Sequence, residues 1–167
     1  MSTKRRPAER YPIIIVIALL LALHFYLRPR LWDGRGAPDF LLLALLLVAL
    51  RSRPGTAAIV GFLVGLITDV LTPARFGAGA LAHTVVAYLA AWGRAVFFPD
   101  NVLVSAGLFA GAVWVRTAIL LLASGAAAGE LASGLGFWAP LQAATTAVAG
   151  VVLLLVARDR LAIRLDE

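Results

Sequence analysis

Residues 55–71 read GTAAIVGFLVGLITDVL, an apolar run whose one ionisable side chain is Asp69. About 20 such residues cross a bilayer as a helix. The run is continuously apolar rather than alternating, which excludes a strand of a membrane β-barrel. Five more apolar segments accompany it, at residues 12–27, 38–50, 76–98, 102–123 and 137–157. We therefore predict an all-α integral membrane protein, a six-helix bundle forming a single transmembrane domain over residues 1–167.

The composition excludes several classes of function. Hydrophobic residues make up 62% of the chain and charged residues 14%, whereas soluble domains have about half and about a quarter. The chain has no cysteine and its two histidines are far apart, so we expect no metal site, no cofactor and no cysteine nucleophile. The net charge of +6 comes from cations scattered between apolar runs. This pattern favours membrane orientation over nucleic-acid binding.

The distribution of Lys and Arg predicts the topology. The basic N-terminus and residues 12–27 look like a signal peptide, but no small-residue cleavage site follows, which favours a retained helix. Six spans with a cytoplasmic N-terminus place ten cations inside, namely Lys4, Arg5, Arg6, Arg10, Arg51, Arg53, Arg94, Arg158, Arg160 and Arg164. Four lie outside, namely Arg28, Arg30, Arg35 and Arg75. The positive-inside rule therefore favours two cytoplasmic termini, with a five-span alternative left open by the basic first outer loop.

Polar side chains inside the spans form a predicted layer. Asp69 and Arg116 each lie fourteen residues into a helix from the cytoplasmic side, or about 21 Å at about 1.5 Å per residue. By the same reasoning His83, His24 and Gln142 fall in the outer half of the bilayer. An unpaired charge in hydrocarbon is costly, so we expect Asp69 and Arg116 in direct or water-mediated reach of each other. The layer is either a pocket or proton site, or a structural polar core.

Two pairs of glycines are spaced for close helix approach. Gly61 and Gly65 lie on one stripe of the third helix with Asp69, and Gly107 and Gly111 repeat the spacing on the fifth. Small residues four apart let helix backbones approach closely in membranes. These stripes serve internal packing or contact with another protein.

The run from Pro38 to Asn101 resembles the bacterial rod shape-determining protein MreD. The resemblance rests on short motifs: Pro38-Asp39 before a leucine-rich helix, a basic turn with Arg51 and Arg53, Gly61-Phe62 to Gly65-Leu66 followed by Asp69, Gly77, Ala80-Leu81 and Tyr88-Leu89. The chain departs from the family at Thr68, where Gln is frequent. The resemblance implies a fold similar to the substrate-binding membrane components of vitamin transporters, whose pocket opens to the outside.

The resemblance also implies a function and partners. MreD-like proteins are non-enzymatic members of the cell-elongation machinery in the bacterial inner membrane. They act there with membrane-anchored MreC, the actin-like MreB, and the peptidoglycan synthase RodA with its penicillin-binding transpeptidase. Membrane lipids are further expected partners, and nucleic acid is not.

Two alternative functions use the same residues. A binding subunit of a transporter would use the outer polar layer as its pocket and would need an energising partner, since the sequence has no phosphate-binding loop. An intramembrane hydrolase would need two carboxylates close enough to share a proton. Asp39 and Asp69 are the one pair that could meet.

Overall fold

The structure, a computed structural model, describes residues 11–31, 35–72, 76–96 and 102–157. All the regular elements within these ranges are helices or helical turns, and the ranges contain no strand. Helix α1 (Tyr11–Ala22) continues through a π-helical turn, Leu23–Leu27, and a 3-10 turn, Arg28–Arg30. The further helices are α2 (Phe40–Ala49), α3 (Pro54–Leu71), α4 (Ala78–Val96), α5 (Val102–Ala123), α6 (Ala128–Ser133) and α7 (Ala139–Ala157), with a π-helical turn, Gly134–Trp138, joining α6 to α7.

Four helical segments in the described ranges are long and apolar enough to cross a membrane. They are Ile13–Arg30, Pro54–Leu71, Leu103–Ala123 and Ala128–Val156. The prediction of an all-α membrane protein is confirmed at this level. The similarity to vitamin-transporter components and the count of six crossings stay predictions.

The last helical segment begins at Ala128, well before the predicted span at 137–157. Gly125, with φ of 65°, ends α5. The N–H groups of Gly125 and Ala126 bond back to the carbonyls of Leu122 and Leu121, which is a Schellman cap. The alanines that follow favour helix, and α6 begins at Ala128.

Helix α2 is the centre of the bundle. Eight of its ten residues are buried, and α1, α3 and α4 pack around it. Ten residues make a helix of about 15 Å, which is half of the ~30 Å hydrocarbon core. Arg94 of α4 donates a hydrogen bond to the carbonyl of Leu50 at the carboxyl end of α2. If that end lies at one membrane surface, the amino end of α2 at Asp39 lies near mid-membrane depth.

The two glycine stripes have different surroundings. A Cβ at Gly61 would overlap the carbonyl oxygen of His83, and a Cβ at Gly65 would overlap that of Gly79. This stripe is therefore filled by α4, which packs on α3 along its length. A Cβ at Gly107 or Gly111 would meet no atom within 4 Å. The stripe on α5 is open on the outside of the bundle.

Candidate functional site

Asp39 lies at the centre of a group of polar residues at one end of the bundle. It is fully buried and caps α2, because Oδ1 accepts a hydrogen bond from the Leu42 N–H at 3.0 Å. Arg116 of α5 donates from Nη1 to Asp39 Oδ2. Nη2 of the same guanidinium donates to Oε1 of Gln142 at 3.2 Å. The ion pair links α2 to α5, and the hydrogen bond to Gln142 adds α7.

His24, in the π-helical turn after α1, completes this cluster. Its Nδ1 lies 3.6 Å from Asp39 Oδ1 and accepts a hydrogen bond from the Leu41 N–H at 3.2 Å. An Nδ1 that accepts carries no proton, so the neutral ring holds its proton on Nε2. His24 therefore caps a second N–H at the start of α2, beside the carboxylate.

The non-helical chain before α2 is supported by polar side chains of α7. Thr145 donates to the carbonyl of Gly36 at 2.8 Å, and Gln142 donates to that of Ala37 at 3.4 Å. The N–H of Asp39 donates to the Thr146 hydroxyl at 3.0 Å. Non-helical backbone inside a membrane protein needs partners for its polar groups, and α7 supplies them for this stretch.

Asp69 has a separate role, at the junction of α3 and α4. Its carboxylate accepts three backbone N–H bonds, from Gly77 at 3.0 Å, Gly79 at 2.8 Å and Ala80 at 2.8 Å. Three N–H groups at the start of α4 would otherwise lack partners. Asp69 and Arg116 therefore have different direct partners, and the predicted water-mediated reach between them stays a prediction. The sequence places both at the same depth but does not reveal that the start of α4 needs a carboxylate.

His83, one turn further along α4, has one satisfied and one unsatisfied nitrogen. Nδ1 lies 2.8 Å from the carbonyl oxygen of Gly79, which can only accept, so Nδ1 donates. Nε2 is buried without a hydrogen-bond partner. The side chain is 3% exposed. A buried polar atom without a partner requires an explanation.

A cavity of about 580 Å³ lies between α1, α3, α4 and α5. Four of the five predicted layer residues line it: His24, Asp69, His83 and Arg116. The fifth, Gln142, lines an adjoining cavity of about 430 Å³. Arg28, Arg116 and Leu120 line both cavities. The structure thus brings the predicted layer together around two neighbouring cavities.

The geometry gives no support to acid–base chemistry by a carboxylate pair. Asp39 is paired with Arg116, and Asp69 is held by backbone N–H groups. A catalytic dyad needs two carboxylates that share one proton. In the part of the chain that the structure describes, no group of three or more His, Cys, Asp or Glu residues could hold a metal ion.

Comparison with known proteins identifies the family. The model of the family described as rod shape-determining protein MreD matches residues 5–158, nearly the whole chain. The chain belongs to the MreD family. No curated protein and no solved structure matches it.

Membership of the MreD family establishes a role in the determination of rod shape. It makes the chain part of the MreBCD shape-determining system, whose MreD component is a structural membrane protein rather than a member of a known enzyme family. The four long apolar helices and the family together indicate an inner membrane protein.

Sequence reasoning missed Asp39 as the partner of Arg116. It placed Asp39 near the outer end of the second span and weighed it only as half of a catalytic pair. Two signals were present: an Asp directly before an apolar helix is a typical N-cap, and the apolar run after Asp39 is short for a full crossing of the bilayer. No local sequence pattern predicts that Thr146 supports Asp39, because the two residues are 107 positions apart in sequence.

Proposed function

We propose that this protein is a non-enzymatic membrane scaffold that docks the transmembrane helix of MreC and helps couple wall synthesis outside the membrane to the MreB filament inside. RodA and a penicillin-binding transpeptidase would act in the same complex. The family supports the role in rod shape, and the open glycine stripe on α5 supports the means of docking.

The proposed docking surface is a groove between α4 and α5. Its lining is apolar, with a cavity of about 130 Å³ bordered by Val86, Leu89, Ala90, Leu108, Gly111, Ala112 and Val115. Three of these residues are Gly or Ala, which allow a second helix to approach closely. An apolar groove without charged lining suits a helix in lipid better than a peptide in water.

The fully packed stripe on α3 leaves α5 as the better candidate for contact. Gly61 and Gly65 are buried and already covered by α4. Gly107 is exposed, and Trp114 further along α5 is 45% exposed. Of the two stripes predicted from sequence, only the one on α5 has room for a partner.

The topology that suits this function has both termini in the cytoplasm. The charge distribution supports it, and the basic ends suit contact with anionic lipid on that side. The residues that decide it, 1–10 and 158–167, lie outside the described residues.

Leucine substitutions in the open stripe test the docking proposal. Gly107→Leu and Gly111→Leu should stay folded and inserted, lose MreC in a pull-down, and give rounded cells. Gly129→Leu is the matched control, because Gly129 also has no atom within 4 Å of an added Cβ but lies on α6, away from the groove. If both stripe variants retain MreC and rod shape, the docking surface is not on α5.

A further inference from the structure

The cavity of about 580 Å³ between α1, α3, α4 and α5 opens laterally. Phe25 of the turn after α1, and Ile67 and Leu71 of α3, line it and are 57%, 62% and 64% exposed. At about 1.5 Å per residue, Ile67 lies about 20 Å from the start of α3, which is inside a hydrocarbon core of about 30 Å. The opening between the turn after α1 and α3 therefore faces lipid chains rather than water.

The polar residues on the α1 and α3 sides of the cavity turn their polar atoms toward the protein. The Asp69 carboxylate accepts three backbone N–H bonds, and the Thr68 hydroxyl donates to a carbonyl of its own helix at 2.7 Å. Nδ1 of His24 accepts from an N–H of α2. These residues line the cavity, but their hydrogen-bonding groups serve the fold.

Arg116 and His83, on the α5 and α4 sides, add little polar surface. Nη1 and Nη2 of Arg116 donate to Asp39 and Gln142. Arg116 Nε and His83 Nε2 have no hydrogen-bond partner, but each exposes less than 1 Å², so the protein's own atoms cover them. Buried water needs about 2–4 polar partners, whereas the surface of this cavity is mostly apolar. The cavity is therefore suited to hydrocarbon.

Helix α1 has little support on the side of this cavity. Only 6% of the segment Ile13–Arg30 is buried inside the protein, and α1 packs on α2. An empty gap between α1 and α3 would deprive its lining of dispersion contacts. An apolar chain in the gap would restore those contacts and connect α1 to α3.

We propose that one acyl chain of a membrane phospholipid occupies this cavity as a structural component of the bundle. The acyl chain enters past Ile67 and lies against Val64 and Leu120, which line the interior. The head group stays at the membrane surface beyond Leu71. A mostly apolar wall selects hydrocarbon rather than a head group, so the occupant is the acyl chain that the surrounding bilayer supplies.

The size of the cavity fits this occupant. An apolar cavity of about 150 Å³ holds benzene, so one of about 580 Å³ has room for a much longer hydrocarbon. The proposal is independent of MreC docking, because the α4–α5 groove has a different lining.

Photolabelling of the full-length protein in phosphatidylcholine vesicles tests the proposal. A small fraction of the lipid carries a diazirine in its acyl chain, and peptide mass spectrometry locates the adducts after irradiation. We expect adducts at Leu41 or Leu120, which are half-buried in the cavity wall, and at Val148 of α7, which is 64% exposed. Adducts at Val148 with none at Leu41 or Leu120 would overturn the proposal.

Two variants and a matched control locate the acyl chain. Ile67→Trp narrows the opening, and Val64→Phe fills part of the interior, where the free volume makes it compatible with folding. Each should reduce labelling at Leu120 by about tenfold and leave labelling at Val148 unchanged. Ile59→Trp should label as the unsubstituted protein does, because Ile59 lies on the same helix with 63% exposure but outside the cavity lining. A circular dichroism spectrum verifies the fold of each variant, and equal labelling of Leu120 in all three would overturn the proposal.

Competition distinguishes an acyl chain from a prenyl chain. A polyprenol, added in the same amount as the labelled lipid, should leave the adducts at Leu120 unchanged. Loss of these adducts with those at Val148 retained would show that the cavity prefers a prenyl chain, and the assignment of an acyl chain would be wrong.

The bound acyl chain should also stabilise the fold, because it binds the native state. The delipidated protein in detergent should unfold at a lower temperature than the protein supplied with phosphatidylcholine. Val64→Phe should reduce this difference, since the phenyl ring takes part of the space. A difference as large in Val64→Phe as in the unsubstituted protein would show that the lipid acts elsewhere.

Discussion

Replacement of Asp39 by Asn is the sharpest probe of the structure. Asn is as good an N-cap as Asp, so the Leu42 N–H keeps an acceptor and only the charge is lost. The Asp39 side chain is 1% exposed and that of Arg116 12%. The variant therefore leaves a buried guanidinium without its counter-charge. We expect a loss of about 3–5 kcal/mol in the free energy of unfolding.

A double-mutant cycle isolates the ion pair from other effects. Arg116→Met alone leaves the Asp39 carboxylate buried without its counter-charge. The double variant, Asp39→Asn with Arg116→Met, removes both charges. The double variant should be less destabilised than the sum of the two single variants, by about 2 kcal/mol or more. Unfolding of the purified protein in mild detergent by added sodium dodecyl sulfate, followed by circular dichroism, measures each value.

The same cycle with Asp69→Asn is the control. Asp69 is held by backbone N–H groups, so its effect should add to that of Arg116→Met. The assignment of the ion pair would be refuted if the effects of Asp39→Asn and Arg116→Met were additive. Strong coupling between Asp69→Asn and Arg116→Met would refute it as well.

Three further predictions concern packing, capping and topology. Gly65→Ala should lower the free energy of unfolding by about 1–3 kcal/mol through overpacking against α4, whereas Gly111→Ala should leave it nearly unchanged; the same detergent titration compares them. Asp69→Asn should reduce the folded yield, measured by fluorescence-detected gel filtration, more than Asp166→Asn, a position outside the described residues. A reporter fused after Glu167 should read as cytoplasmic, and a periplasmic signal would exclude the six-span topology.

The helical class could be predicted from sequence, because a continuous apolar run satisfies its own backbone hydrogen bonds in a bilayer only as a helix. The glycine spacing on α3 likewise predicted close packing, since Gly61, Gly65 and Asp69 must share a stripe. The spacing of residues within α3 does not predict which other helix packs against that stripe. That α4 does so depends on the tight turn through Gly77, with φ of 95°, and on the three N–H bonds to Asp69.

The rise per residue predicts a common depth for the polar residues, but it does not predict their partners. Arg116 could pair with either carboxylate at this end of the bundle. The choice depends on α2 being short, so that Asp39 reaches the level of Arg116. It depends equally on Gln142 and Thr146 of α7, which hold the chain before α2 in place over long separations in sequence. Such contacts belong to the tertiary fold and leave no local pattern.

Photo-crosslinking in living cells tests the proposed docking of MreC most directly. A photoreactive amino acid at Leu89, which borders the α4–α5 groove and is 45% exposed, should form a crosslink to MreC. The same probe at Val148 of α7, which is 64% exposed and outside the groove, should form none. A crosslink to MreC from Val148 but not from Leu89 would contradict the proposed docking surface, and none from either would contradict docking at the groove.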